Sequence, residues 1–365
     1  MKYKCTKIII LAVIFAPICV CGLASKANLT QLPKRKIFKI VSQGSRVVIE
    51  KGDPGTEDNK YGFEGGRVVR IGKEYHLITA ERAGEPKIVK MRLAHWKSRD
   101  GISWERVSTL YESSGEFEGK DPRAALWGPM PVFEKSENRW YLVYVAYRAK
   151  PNDETGWYLN HEGKIWLAKS QKKGRSGIDG PYEDIGIILQ PDENSGPWEG
   201  LQGTDSFFPY KIGDTWYAFY GSAQTQAERN MDYPKWCVGL AKADSLKGPW
   251  KRMSERNPIK LDPHFAENPV VTRLKDGRYV AMVDGGGGGF KYSVSDDGLH
   301  WSRAVKLPLE KHGKKWWSAM RTPLCLIPEG DGIYTVFHTA YTSSEFANVG
   351  MAKLKLIEEE IVPVK

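Results

Sequence analysis

The hydrophobic pattern of this chain is a strand pattern, and it repeats. A strand–turn–strand–strand phrase occurs five times, and its second strand is the clearest part. The five copies are Glu74–Thr79, Arg139–Tyr144, Thr215–Tyr220, Arg278–Val283 and Gly332–Phe337. A third strand follows each: Met91–Trp96, Lys164–Lys169, Trp236–Lys242, Phe290–Ser295 and Asn348–Lys353. All-strand repeats of about 40–60 residues bury their faces only against one another, which points to a propeller. The expected fold is therefore an all-β, five-bladed β-propeller, with blades over 61–112, 121–191, 200–256, 262–309 and 317 to the end. Arg46–Glu50 is rich in β-branched residues and reads as a strand that joins the last blade and closes the ring. The innermost strand of each blade lines a central funnel, so chemistry is sought there.

Two turn motifs support this register. Ser98-Arg99-Asp100-Gly101-Ile102-Ser103-Trp104 matches Ser295-Asp296-Asp297-Gly298-Leu299-His300-Trp301, an Asp-Gly turn followed by a Trp that can plug a blade edge. Ala168-Lys169-Ser170 runs on to Gly180-Pro181-Tyr182, and Ala241-Lys242-Ala243 runs on to Gly248-Pro249-Trp250. The five glycines Gly285–Gly289 lack the Lys-Ser/Thr and helix of a phosphate loop and read as a hairpin tip.

Composition changes the picture in four places. The 365 residues are 41% hydrophobic and 12% aromatic, ample for one large core. Lys2, Lys4 and Lys7 precede an apolar run over Ile8–Val20 and the small residues Gly22-Leu23-Ala24. That is the pattern of a signal peptide over 1–24, which predicts an exported protein, periplasmic or extracellular, without a membrane span; Cys19 and Cys21 offer lipid attachment as the alternative, disfavoured by the bulky Ile18 and Val20 before them. Residues 25–40 read as a polar leader and 41–365 as the propeller domain. Outside the signal peptide only Cys237 and Cys325 remain, on different blades, and they read as two free buried thiols. The formal charge of +10 is spread along the chain without a basic stripe, so no nucleic-acid partner is expected.

The five first strands contain Phe63-Glu64-Gly65-Gly66-Arg67, Trp127-Gly128-Pro129-Met130-Pro131, Thr204-Asp205-Ser206-Phe207-Phe208, Ala266-Glu267-Asn268-Pro269-Val270 and Arg321-Thr322-Pro323-Leu324. Glu64, Asp205 and Glu267 hold equivalent places, 11, 11 and 12 residues before Tyr75, Trp216 and Tyr279. The repeat thus aims three carboxylates at one funnel mouth. Like charges and burial separate the proton affinities of such groups, which suits one as acid and another as base. The same residues could instead cap strands or hold a structural cation such as calcium in the channel; no other cofactor is expected.

With these motifs the chain resembles the five-bladed propeller glycosidases, glycoside hydrolase family 43 and its relatives. The resemblance covers nearly all of the mature chain and rests on the turns above, on Gly203-Thr204-Asp205-Ser206-Phe207 and on Ala266-Glu267-Asn268-Pro269. It implies Glu64 as general base, Asp205 as modulator and Glu267 as general acid. Two departures stand out: the family's base is usually Asp, and its Trp-Ala-Pro-Asp reads here Trp127-Gly128-Pro129-Met130. The substrate is therefore not carried over from the family. Further substrate-binding candidates are Trp127 as a stacking platform or blade packing, Asp121 and Arg123 from a partial match to the Arg-Asp-Pro of fructan-cleaving propellers (Asp121 reading equally as a turn before Pro122), Arg321 as a partner for Glu64, Glu267 or a substrate carboxylate, and His338, which also reads as a core or edge histidine.

The expected function is hydrolysis of a glycosidic bond in an oligo- or polysaccharide by a monomeric exported enzyme, with inversion favoured by the resemblance. The alternatives are a non-catalytic carbohydrate-binding propeller, a structural or protein-interaction propeller, and a lyase or transferase on the same scaffold.

Overall fold

The structure, a computed structural model, describes residues 34–40, 46–156, 158–286, 289–307, 319–341 and 345–360. The segment read as a signal peptide lies outside the described residues. The chain divides into a large unit, Lys36–Ile357, and a small one made of Met1–Arg35 and Glu358–Lys365. Of the small unit only residues 34–35 and 358–360 are described, as strand.

The large unit is a five-bladed β-propeller of antiparallel sheets. Blade I holds Phe63–Ile71, Glu74–Glu81, Arg92–Ser98 and Glu105–Glu112. Blade II holds Ala125–Glu134, Arg139–Ala149, Asn160–Lys173 and Tyr182–Leu189. Blade III holds Asp205–Ile212, Thr215–Ala223, Trp236–Ala243 and Lys251–Arg252. Blade IV holds Glu267–Arg273, Tyr279–Asp284, Phe290–Ser295 and Val305–Lys306. Blade V holds Ala319–Pro323, Ile327–Gly330, Ile333–Tyr341 and Ala347–Glu360. All five expected second and third strands are present, most of them longer at the C-terminal end and three of them starting one residue later than expected.

Blade V is completed from the other end of the chain. Arg46–Ile49 pairs antiparallel with the last strand, with Arg46 opposite Met351 and Ile49 opposite Val349. Lys34–Ile40, within the stretch read as leader, is a further strand beside it. Joining the first and last strands closes the ring and hides two sheet edges that would otherwise be unpaired.

Between blades the core is aromatic. The two Asp-Gly turns have one geometry. Ser98 Oγ donates to Asp100 Oδ1, which also accepts the Ile102 and Ser103 N–H groups. Ser295, Asp297, Leu299 and His300 repeat those bonds. Gly101 and Gly298 take φ of 74° and 77°, where an L side chain is strained. Each turn sends its Trp against the preceding blade. Trp104 meets Phe337 of blade V edge-on at 5.5 Å, and Trp301 meets Phe219 of blade III at 5.2 Å. Cys237 and Cys325 are free and buried, and burial pushes their thiols up to about 11 and about 12. No helix among the described residues is long and apolar enough to cross a membrane.

His338, offered above as a substrate ligand, is instead a core residue of blade V. Its ring lies 5.5 Å from Phe290 of blade IV, and its Nδ1 is 3.3 Å from Thr339 O. Burial pushes its pKa down to about 4. The unfolded chain takes up this proton near pH 6.5 and the folded chain only near pH 4. Folding stability from this site is therefore complete above about pH 6.5 and declines as pH falls toward about 4. Urea unfolding of the parent at several pH values is expected to lose roughly 3 kcal/mol more across that window than His338→Gln does. Parallel pH profiles would show that His338 carries no such linkage.

Candidate active site

The strand register shows which inner-strand residues are equivalent. Each inner strand bulges near its start. Glu64 faces Ala80, Trp127 faces Val145, Asp205 faces Gly221, Glu267 faces Asp284 and Met320 faces Ala340. Glu64, Trp127, Asp205, Glu267 and Met320 thus share one position, so Arg321, assigned this place from sequence, stands one residue beyond it. The side chain of Arg321 lies outside the described residues. After the shared position, Gly65, Gly128, Ser206 and Asn268 take positive φ of 66°, 49°, 51° and 51°. This left-handed step produces the bulge and re-aims the preceding side chain. For Ser206 and Asn268 it is a strained conformation, and surrounding bonds must hold it.

A chain of hydrogen bonds crosses four blades at this level. Ser206 Oγ donates to Asn268 Oδ1 at 3.0 Å, and Asn268 Nδ2 reaches Thr322 Oγ1 at 3.5 Å. Thr322 Oγ1 donates to Glu64 Oε1 at 2.7 Å. The other Glu64 oxygen accepts from the Tyr341 hydroxyl at 3.1 Å. Behind Tyr341, the buried Arg82 donates to its hydroxyl at 2.9 Å and lies over its ring. Both oxygens of Glu64 are thereby oriented, with a guanidinium one hydroxyl away.

Asp205 is held differently. Gln202 Nε2 donates to Asp205 Oδ2 and to the Tyr147 hydroxyl, each at 3.1 Å. Burial, reinforced by the Asp205 charge, raises the Tyr147 pKa well above its usual value, so the phenol stays protonated. Glu267 is 4% exposed, on blade IV. Blades I and IV are not neighbours in the ring, so Glu64 and Glu267 approach the channel from different sides.

One cavity is lined by Glu64, Asp205 and Glu267 together with Trp127, Tyr147, Tyr158, Asn160, Gln202 and Asn268. The carboxylates from three blades therefore meet. Trp127 is the residue that blade II puts in the carboxylate position, and its indole N–H is buried without a partner among the described residues. The same holds for Asn160 Oδ1 and Gln202 Oε1. These are unpartnered polar atoms on residues that line the cavity.

Asp121 and Arg123 do not line this cavity. Asp121 forms a turn, accepting from Ser114 and from the Arg123 N–H. Arg123 is paired with Asp184 at 2.6 Å and rests over Tyr111, Tyr144 and Trp166 between blades I and II. Tyr147, Tyr158, Asn160 and Gln202 were missed from sequence because they come from strand ends and a loop that do not repeat. Asn268 was legible as the successor of Glu267, matching Ser206 and Gly65. Among the described residues, the His/Cys/Asp/Glu group with metal-ligand spacing is His76, His95 and Asp179, outside this cavity. There His76 Nδ1 and His95 Nε2 face each other at 3.0 Å.

No family model matches the sequence, and no curated protein matches it by sequence. The fold does match solved structures. One is a family 117 glycoside hydrolase from the marine bacterium Zobellia galactanivorans, with a TM-score of 0.59 and 14% identity over 86% of this chain and 90% of that one. A second is a thermostable family-43 glycoside hydrolase, at 0.52 and 17% over 83% and 95%. A third is an α-L-arabinofuranosidase from Lactobacillus brevis, at 0.55 and 10% over 81% and 92%. At these identities the likeness establishes the fold, a five-bladed propeller of the form found in glycoside hydrolases of families 43 and 117.

Thr322→Val tests the bond chain. It removes the donor to Glu64 Oε1 and the acceptor for Asn268 Nδ2, and urea unfolding is expected to show a loss of about 1–3 kcal/mol. An unchanged midpoint would mean that the Thr322 hydroxyl holds neither group.

Proposed function

We propose that this protein is an exported glycoside hydrolase that cleaves a glycosidic bond in an oligo- or polysaccharide with inversion. The observation that carries the reading is the meeting of Glu64, Asp205 and Glu267, from three separate blades, in one cavity beside Trp127. Glycosidic cleavage needs one carboxyl to protonate the leaving oxygen and another to activate water on the opposite face. Glu267 takes the first role. Glu64 takes the second, because Thr322 and Tyr341 fix the direction of both its oxygens. Asp205, clamped by Gln202 and next to the protonated Tyr147, orients the sugar. Trp127 supplies a flat apolar wall for a ring face, while Asn160 and Gln202 offer acceptors to hydroxyls. The apolar N-terminal run after Lys2, Lys4 and Lys7 supports export.

The test is a glycan panel with mass-resolved products, run on the parent, Glu267→Gln and Glu64→Gln. Each variant is expected to lose about 10²–10⁴-fold in kcat while remaining folded by circular dichroism. Proton NMR of the first-formed product is expected to show the anomer opposite to the substrate's. Turnover that survives both substitutions would remove the assignment. Binding without turnover in all three proteins would favour a carbohydrate-binding propeller.

A further inference from the structure

The inner strands have a second end, and the side chains there carry a different chemistry. A hollow of about 440 Å³ opens at that end, lined by Val69, Phe133, Tyr210 and Val271 from the far halves of four inner strands. Its charge is one-sided. Arg67, Arg70, Lys135, Arg175 and Lys211 line it, against the single acid Glu134. Glu134 is matched by Lys211 at 3.2 Å, and Arg70 by Glu329 at 2.9 Å. Arg67, Lys135 and Arg175 have no acidic partner among the described residues.

Four of these cations are propped on aromatic rings, Arg70 at 5.4 Å over Tyr75 among them. Arg67 lies 4.6 Å over Phe208, Arg175 3.9 Å over Phe133, and Lys211 4.6 Å over Trp216. Rings hold the cationic groups in place without neutralising them. Arg67 is the most telling. It is half-buried, and its one side-chain hydrogen bond goes to Pro131 O at 3.4 Å, a long contact for a charged donor. Burial lowers its pKa to about 10. A guanidinium presents five donors in a planar fork, and most of those of Arg67 are left for a ligand. A desolvated charge without a counterion is costly, so the pocket favours an anion.

We propose that this hollow is an oxyanion-binding site, separate from the carboxylate cavity, that takes a sulfate or carboxylate group between the guanidinium groups of Arg67 and Arg175. The oxyanion is either free in solution or carried on a sugar ring. The shape and charge that recognise it are the same in both cases.

Isothermal titration calorimetry of the mature protein with sodium sulfate, glucuronate and a sulfated disaccharide tests this at constant ionic strength in chloride. Saturable binding of at least one probe is expected, weakened by about tenfold or more in both Arg67→Gln and Arg175→Gln. Arg175 is exposed, so its variant keeps the test valid if Arg67→Gln fails to fold. Tighter binding of the disaccharide than of sulfate would identify a sugar-borne group; equal binding would identify the free anion. Absence of saturable binding, or binding that neither substitution weakens, would overturn the proposal. Sulfate stabilises proteins generally by exclusion from their surfaces, so a shift in melting temperature shared by parent and variants would not count in its favour. No readout depends on glycosidase activity, so the two readings fail separately.

Discussion

The three carboxylates depend on one repeated backbone contact, made where each of their inner strands begins. The segment entering the strand hydrogen-bonds to the first part of the preceding blade's third strand. Gly163 N donates to Gln202 O at 2.7 Å, and Thr204 N donates back to Gly163 O at 2.9 Å. Ala347 N donates to Tyr61 O at 3.1 Å, and Ala266 N to Trp236 O at 3.4 Å. These ties lie just before Asp205, Glu64 and Glu267 respectively. In two of them the backbones approach so closely that only glycine fits. A Cβ at Gly62 would sit 2.1 Å from Ala347 O, and one at Gly163 would sit 2.7 Å from Thr204 O. Blades I, III and IV are therefore each registered on the preceding blade by main chain at the point where a carboxylate leaves the strand.

Main-chain registration suits a site assembled from several blades. A side chain packed against apolar neighbours can shift rotamer, but a strand start held by directional hydrogen bonds cannot slide without breaking them. The bulge that follows adds a second constraint, since its left-handed residue turns the preceding carboxylate toward the axis. The side-chain links from Ser206 through Asn268 and Thr322 to Glu64 then join four blades around the axis. Backbone ties set the position of the inner strands, bulges set direction, and the polar chain fixes the final rotamers.

The two ends of the same strands carry opposite chemistry. At their starts, carboxylates, amides and phenols surround a cavity. Farther along, guanidinium and ammonium groups sit over aromatic rings around a hollow. Arg67 lies only three residues beyond Glu64, yet it is Arg82, through Tyr341, that reaches the Glu64 carboxylate. The bulge at Gly65 and Gly66 separates the two groups along the strand, and each end keeps its own charge.

The sequence by itself determined the five blades, their second and third strands, the two Asp-Gly-Trp plugs and the closing strand Arg46–Ile49. All of these are local patterns, or repeats of local patterns, and period-two burial with turn residues at set offsets is written in the order of the chain. It also placed Glu64, Asp205 and Glu267 in equivalent positions, because the repeat carries that equivalence. Tertiary structure alone decided the rest. Asp121 forms the turn that the sequence offered beside a ligand role, and Arg123, a ligand candidate in sequence, is spent on an ion pair with Asp184. His338 is sealed in the core, since its neighbour Phe290 comes from another blade. Tyr147, Tyr158, Asn160 and Gln202 reach the cavity from strand ends and loops of blades II and III, outside the motifs that the sequence repeats. Which side chains converge on a central axis depends on how five blades rotate about it, and that rotation is set by packing and backbone ties between residues far apart in the chain.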